Sequence, residues 1–337
     1  MDKFSSHTVD LKGQKTLYYE AGSSSGTPLI FIHGWPGIAE TWKHQLSRFN
    51  TDKYRVLAPD MRGYGGSSSP ADKRAYSLET LVAELVELTE KLALKKAIWI
   101  AHDWGCGVVS ALAAHHPELC MGIAFLSVPY RTLELGVEHL IGLVNRDLYP
   151  AAENPYGQWS YQRFYEQDPE FCIQYLSADM EKIIKLVYLK GDASLYGKPA
   201  RQSRVLEDRG WFGGNLELAP EVPLAATVLD EGLFENLVSS LRKHSFFPPT
   251  AYYLNHDVNE EFAKTEKNGG VLDFPVLFID TKYDNVCTIT TTPKMAEGQE
   301  ELCKDLTQAT VDAGHWAVLE RAGEVNEALE GWLNSKF

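Results

Sequence analysis

The chain has 337 residues, 44% of them hydrophobic, and a formal net charge of -14 from 46 acidic and 32 basic residues. Such a length and apolar content support a sizeable buried core, while the acidic surplus argues against nucleic acid or anionic membrane surfaces as general partners. No apolar run reaches membrane-spanning length, and the opening MDKFSSHTVDLKG lacks the apolar centre of a secretory signal.

Segments 5–11 and 15–21 read as an antiparallel pair joined near Gly13. Pro28–Ile32 is a continuous apolar run, as the central strands of a covered parallel sheet require. It enters His33-Gly34-Trp35-Pro36-Gly37, where Gly34 permits close backbone approach and Pro36 is a candidate cis residue. Tyr54–Ala58 is the next strand, followed by the Gly-rich turn Pro59–Gly66, in which Asp60 and Arg62 are expected to brace the loop. No Lys-Ser/Thr pair follows that turn, so it is not a phosphate loop. Ser77 is placed to cap a helix whose stripe is Leu78, Leu81, Val82, Leu85, Leu88 and Leu92, with its Glu residues off the stripe and solvated.

The stretch Ala97–Val109 then reads as strand, sharp turn and helix. Small residues stand two before and two after Asp103, at Ala101 and Gly105, which is the spacing of a nucleophile elbow. Alone, an Asp here is as compatible with a helix N-cap as with a nucleophile. As a nucleophile it differs from the usual Ser in being ionised at neutral pH, so it needs no base to attack an electrophilic carbon. Met121–Val128 is the next strand. From about Tyr130 to Pro249 the alternation stops; this stretch is rich in aromatics, Pro and Gly, with helical patches around 160–190 and 221–243. Strand-and-helix rhythm returns with a strand at 274–279, a helix near 293–304, a short strand at 306–311 and a final helix from about Gly323.

The expected fold is therefore α/β: a mostly parallel sheet with helices on both faces, residues 1–130 and 250–337 forming the core, and 131–249 inserted as a helical cap over the C-terminal edge of the sheet. Two further candidates follow strands on that same edge. Asp284 lies in Asp280–Asn285, and His315 in Asp312-Ala-Gly-His-Trp316. The order nucleophile, acid, histidine is that of an α/β-hydrolase. His315 would be the base for a water step and Asp284 its orienting acid, with Asp280 the competing acid. The backbone N–H groups of Trp35 and Trp104 are the candidate oxyanion donors, and Trp35, Pro36, Trp104 and Trp316 the candidate pocket residues. The five cysteines are scattered without a CxxC pair, which predicts reduced thiols, a cytoplasmic protein and no zinc site.

Taken together, His33-Gly-Trp-Pro36, Asp60-Met-Arg-Gly-Tyr-Gly65, His102-Asp-Trp-Gly105, Tyr283-Asp284 and Gly314-His-Trp316 resemble the α/β-hydrolase-fold epoxide hydrolases over about two thirds of the chain. The resemblance implies two cap tyrosines that hydrogen-bond the epoxide oxygen. Tyr161, in Trp159-Ser-Tyr-Gln162, and Tyr253, in Tyr252-Tyr-Leu-Asn255, match them, with Tyr252 as the spare. It also implies an epoxide and water as the reaction partners, a vicinal diol as product, an alkyl ester on Asp103 as intermediate, and no cofactor or metal. Ala101 and Cys106 depart from the family's glycines; Cys106 is expected to narrow the pocket floor. The rival readings are a dehalogenase using the same Asp-His-Asp logic, and a scaffold reused for binding or for shaping a biosynthetic intermediate. Monomer and homodimer are both compatible with the sequence.

Overall fold

A computed structural model describes residue 1 and residues 4–337. Its centre is an eight-stranded sheet in the order β1-β2-β4-β3-β5-β6-β7-β8. The strands are β1 Ser5–Leu11, β2 Gln14–Gly22, β3 Thr27–Ile32, β4 Tyr54–Pro59, β5 Ala97–His102, β6 Cys120–Leu126, β7 Leu272–Thr281 and β8 Cys303–Val311. The hairpin β1–β2 is antiparallel and joins β4 antiparallel; every pairing from β4 through β3, β5, β6 and β7 to β8 is parallel. Leu29–Ile32 and the whole of β5 are buried, because helices cover both faces there and leave no side for polar residues.

The register lines up the C-terminal strand ends. Ile32 pairs with Ala101, His102 with Leu126, Leu126 with Ile279, and Thr281 with Val311. The loops that follow β3, β5, β6, β7 and β8 therefore leave the sheet along one rim, where open α/β sheets bind their ligands.

The core helices are α1 Lys43–Phe49, α2 Leu78–Lys91 and α3 Trp104–His115, then α11 Glu297–Leu302, α12 Ala317–Glu320 and α13 Ala322–Lys336 after the helical stretch. Helix α2 starts where Ser77 accepts a hydrogen bond from the Thr80 amide, and packs on α3, while α13 packs on α1, β7 and β8. Helix α3 is buried on all sides. A Cβ at Gly105 would stand 2.3 Å from the Ile32 carbonyl, so only glycine lets α3 lie this close to β3. Beyond shifts of a few residues at the ends of β6 and β7 and a later start for the helix read over 221–243, which is α-helical only from Glu231, three details differ from the sequence reading. Helix α1 went unread because polar residues interrupt its apolar positions. Edge strand β8 begins three residues earlier than read, its exposed face hiding the signal. Glu84 of α2 is not solvated: it is buried and paired with Arg62 at 3.0 Å, and Arg62 also donates to the Ala75 carbonyl.

Between β6 and β7 the chain forms α4 Gly136–Gly142, α5 Ser160–Gln167, α6 Pro169–Ala178, α7 Met180–Val187, α8 Glu231–His244, α9 Phe247–Ala251 and α10 His256–Ala263, and the long stretch between α7 and α8 is made of short 3-10 turns closed by an isolated antiparallel bridge from Leu189 to Thr227. Asp168, Asp179 and Asp230 cap α6, α7 and α8 by accepting amide hydrogen bonds. The helices continue past 249, and α10 lies against α2 and α4. No described helix is long and apolar enough to cross a membrane.

Candidate active site

Asp103 sits at the turn between β5 and α3 with φ 53° and ψ -126°. A left-handed φ in a residue with a Cβ is strained, and it is what lifts the carboxylate clear of the strand. Gly34 makes room for it, since a Cβ there would stand 2.4 Å from Asp103 Oδ1 and 2.5 Å from the Trp104 amide nitrogen. The Trp35 amide donates to Asp103 Oδ1 at 2.5 Å. Trp104 opens α3, so its amide has no acceptor within the helix. Of the two amides named as oxyanion donors, that of Trp35 thus meets the carboxylate and that of Trp104 follows directly after it in the chain. The Trp35–Pro36 peptide is cis.

His33 does not reach the carboxylate. It links the two loops: Nδ1 donates to the Gly34 carbonyl and Nε2 accepts from the Met61 amide. Burial lowers its imidazole to about 4, so it is neutral and structural. Asp60 accepts from the amides of Ala39 and Gly66, bracing the loop as expected.

His315 and Asp284 meet Asp103 across the rim. His315 Nδ1 donates to Asp284 Oδ2 at 2.6 Å, and Nε2 lies 3.4 Å from Asp103 Oδ2. Asp284 Oδ1 accepts from the amides of Val286 and Cys287. Burial opposes ionisation of Asp284, but the His315 charge and hydrogen bond together with these amides outweigh it and hold the carboxyl below its ordinary range. Burial likewise disfavours the His315 cation, yet Asp284 and Asp103 outweigh it and push the imidazole up to about 10. Asp280 faces another way, accepting from Thr288 Oγ1 and the Ile289 amide. Its position directly on the strand end anchors the 284–289 loop instead.

The raised His315 pKa has a consequence for stability. Below the unfolded value of 6.5 the ring is protonated in both states and the contribution is complete; it is lost as pH rises through about 10. The protein is expected to lose stability between about pH 6.5 and 10. Thermal melts across that window should show this slope in the parent and a shallower one in His315→Gln.

Two residues behind the histidine escaped the sequence reading. His102 Nε2–H donates to the His315 carbonyl at 2.8 Å and Ser127 Oγ–H donates to the same oxygen at 3.1 Å. Both follow from the rim: each ends the strand, or follows the strand, beside Asp103. Burial lowers His102 to about 4, so this ring, 4.6 Å from that of His315, adds no second positive charge.

Tyr161 on α5 and Tyr253 in the turn Tyr252–Leu254 face each other edge to face, ring centroids 5.8 Å apart. Tyr253 also lies edge-on to Trp104 at 5.1 Å and to Trp35 at 6.1 Å. Burial raises both phenols well above 10, and the Asp103 charge adds to this in each; both therefore keep their protons. Tyr252 points away, its hydroxyl donating to the Arg62 carbonyl at 2.9 Å. Among the named pocket residues, Trp35 is half-buried and open to the site, while Pro36 and Trp104 are buried beside it. Trp316 is 1% exposed. Its indole stacks on Tyr188 and donates to the Val187 carbonyl, so it backs His315 rather than lining open space. Cys106 turns its thiol to the Leu126 carbonyl, not to a pocket floor.

A sequence profile described as the alpha/beta hydrolase fold matches residues 27–322. The chain is 30% identical to Epoxide hydrolase A of Mycobacterium tuberculosis, over 96% of each chain. It is 28% identical to Bifunctional epoxide hydrolase 2 of Sus scrofa, matching over 96% of this chain but spanning 54% of that protein. A solved structure of Epoxide Hydrolase A from Mycobacterium thermoresistibile superposes with a TM-score of 0.77 at 27% identity, covering 98% of both chains.

Proposed function

Because the chain belongs to the epoxide-hydrolase family of the α/β-hydrolase fold, we propose a two-step hydrolysis of an epoxide to a vicinal diol, with the roles that follow. Asp103 attacks a ring carbon and the C–O bond breaks, leaving a hydroxyalkyl ester. Tyr161 and Tyr253 hydrogen-bond the epoxide oxygen and supply the proton its alkoxide needs. Water then adds to the Asp103 carbonyl; His315 takes its proton, Asp284 steadies the imidazolium, and the amides of Trp35 and Trp104 hold the tetrahedral oxyanion. The proton that His315 gives up after esterification returns to the tyrosinate, and collapse passes the hydroxyl proton of the tetrahedral adduct to the departing oxygen, releasing the diol and restoring the carboxylate and the His315 cation.

The site's charge supports this order of events. In the free enzyme two carboxylates hold His315 as a cation, which is no base. Esterification of Asp103 removes one of those charges, so the pKa of His315 falls when a base is required. The substrate and water are the only reactants in this scheme. The five free cysteines, all buried, support a reducing, cytoplasmic setting.

The facing pair Tyr161–Tyr253 is the observation that carries the epoxide reading, since a departing halide needs N–H donors and no proton. The buried indole nitrogens of Trp35 and Trp104, which have no acceptor among the described residues, favour a haloalkane as the second substrate class to test. Turnover is measured on matched epoxides and haloalkanes. The reading predicts diol from epoxides, with Tyr253→Phe losing about 100-fold or more in ester formation. Tyr252→Phe is expected to leave that rate unchanged and to cost about 1 kcal/mol of stability through the lost bond to Arg62. Equal loss of halide and epoxide turnover in Tyr253→Phe would remove the phenol's assigned role.

A further inference from the structure

Cys287 stands one helical turn beyond Asp284, in a segment closed by the hydrogen bond from the Thr288 amide to the Asp284 carbonyl. That turn brings residue i+3 back over residue i. The result is a cluster in which the Cys287 thiol, a carboxylate oxygen of Asp284 and a ring nitrogen of His315 all lie within 4.8 Å of one another. Among the described residues it is the one place where three such donors converge.

The geometry points to an inhibitory site for a thiophilic divalent cation, Zn²⁺ or Cd²⁺, held by Cys287, Asp284 and His315. The donor set is one thiolate, one imidazole and one carboxylate, which suits a tetrahedral ion whose fourth position is left to water. Bond lengths of about 2.0–2.3 Å ask the three donors to close around the ion and the His315–Asp284 pair to open by roughly 1 Å. Access is through the opening above His315, whose side chain is 25% exposed. Binding displaces two protons, that of the thiol and that on the His315 nitrogen facing Asp284. The remaining ring N–H cannot accept a proton from water. Asp103, Tyr161 and Tyr253 are not ligands, so the cation blocks the water step and leaves ester formation open. This last consequence rests on the two-step reading above; cation binding itself does not.

The test is a titration of the metal-free protein with CdCl₂, read by the ultraviolet thiolate-to-cadmium charge-transfer band, in the parent, Cys287→Ser and Cys287→Ala. One equivalent is expected to bind the parent. Both variants should lose the band and weaken binding at least tenfold, while keeping metal-free turnover within about twofold, which also shows that they fold. A band that survives both substitutions overturns the site. Intact mass of the cadmium-loaded parent mixed with epoxide then reads the consequence: a gain of the whole epoxide mass supports a block confined to the water step. No gain, where metal-free His315→Gln does show one, overturns that confinement. Absence of an adduct in both proteins, with the cadmium band intact, would instead indict the two-step reading.

Discussion

An Asp103→Asn enzyme is expected to turn over epoxide at least about 10⁴-fold more slowly than the parent, with its stability within about 1 kcal/mol. The amide has the carboxylate's shape, and its oxygen can still accept from the Trp35 amide that now meets Oδ1. Asn is also among the residues that best tolerate the positive φ of this turn. What disappears is the anion, and a neutral amide has no electron pair reactive enough to open an epoxide. Substituting it also removes one of the two carboxylates flanking His315, so the imidazole of the variant should titrate lower than in the parent. Single-turnover kinetics, with His315 followed by NMR, checks both statements. Turnover within tenfold of the parent would mean that another group does the opening.

His315→Gln should fail in a different place. Its steady-state rate is expected to fall by about three orders of magnitude or more, yet one equivalent of substrate should be consumed at a rate near that of the parent. Asp103 requires no base to attack, whereas the water that must cleave the ester does. The trapped species should weigh more than the protein by the full mass of the epoxide, and the gain should vanish in Asp103→Asn/His315→Gln. A gain of the alkyl group alone, seen only with haloalkanes, would move the enzyme to dehalogenation. No gain with either class would sink the covalent route.

Much of this was legible before any coordinates. The elbow at Asp103 announced itself through a buried strand, small flanking residues and an Ala-rich helix, all local signals. The histidine was legible because a strand and an Ala-Gly pair precede it. The choice between Asp280 and Asp284 is three-dimensional: Asp280 lies in the ladder at the end of β7 and Asp284 just beyond it, and only the turn at 284–288 decides which carboxylate meets His315. Tyr252 and Tyr253 are adjacent and chemically identical; the twist of a single turn sends one hydroxyl to Arg62 and the other ring toward Tyr161. Glu84 was misread because its partner, Arg62, arrives from a loop 22 residues away, beyond the reach of helical periodicity. The support of His315 by His102 and Ser127 was invisible for the same reason, since it depends on the loop after β8 reaching back past β7 to the ends of β5 and β6.

The sheet order leaves one quiet vulnerability. Asp103 leaves a strand with partners on both sides, but His315 follows β8, which closes the sheet at its margin and is half wetted along its length. Marginal strands open at lower free energy than interior ones. The clasp of two donors on the His315 carbonyl is what ties this margin inward. Under the proposed mechanism, inactivation is therefore expected to precede unfolding on heating, because fraying of β8 displaces His315 while the interior strands still hold; activity loss coincident with the global melt would rule this out.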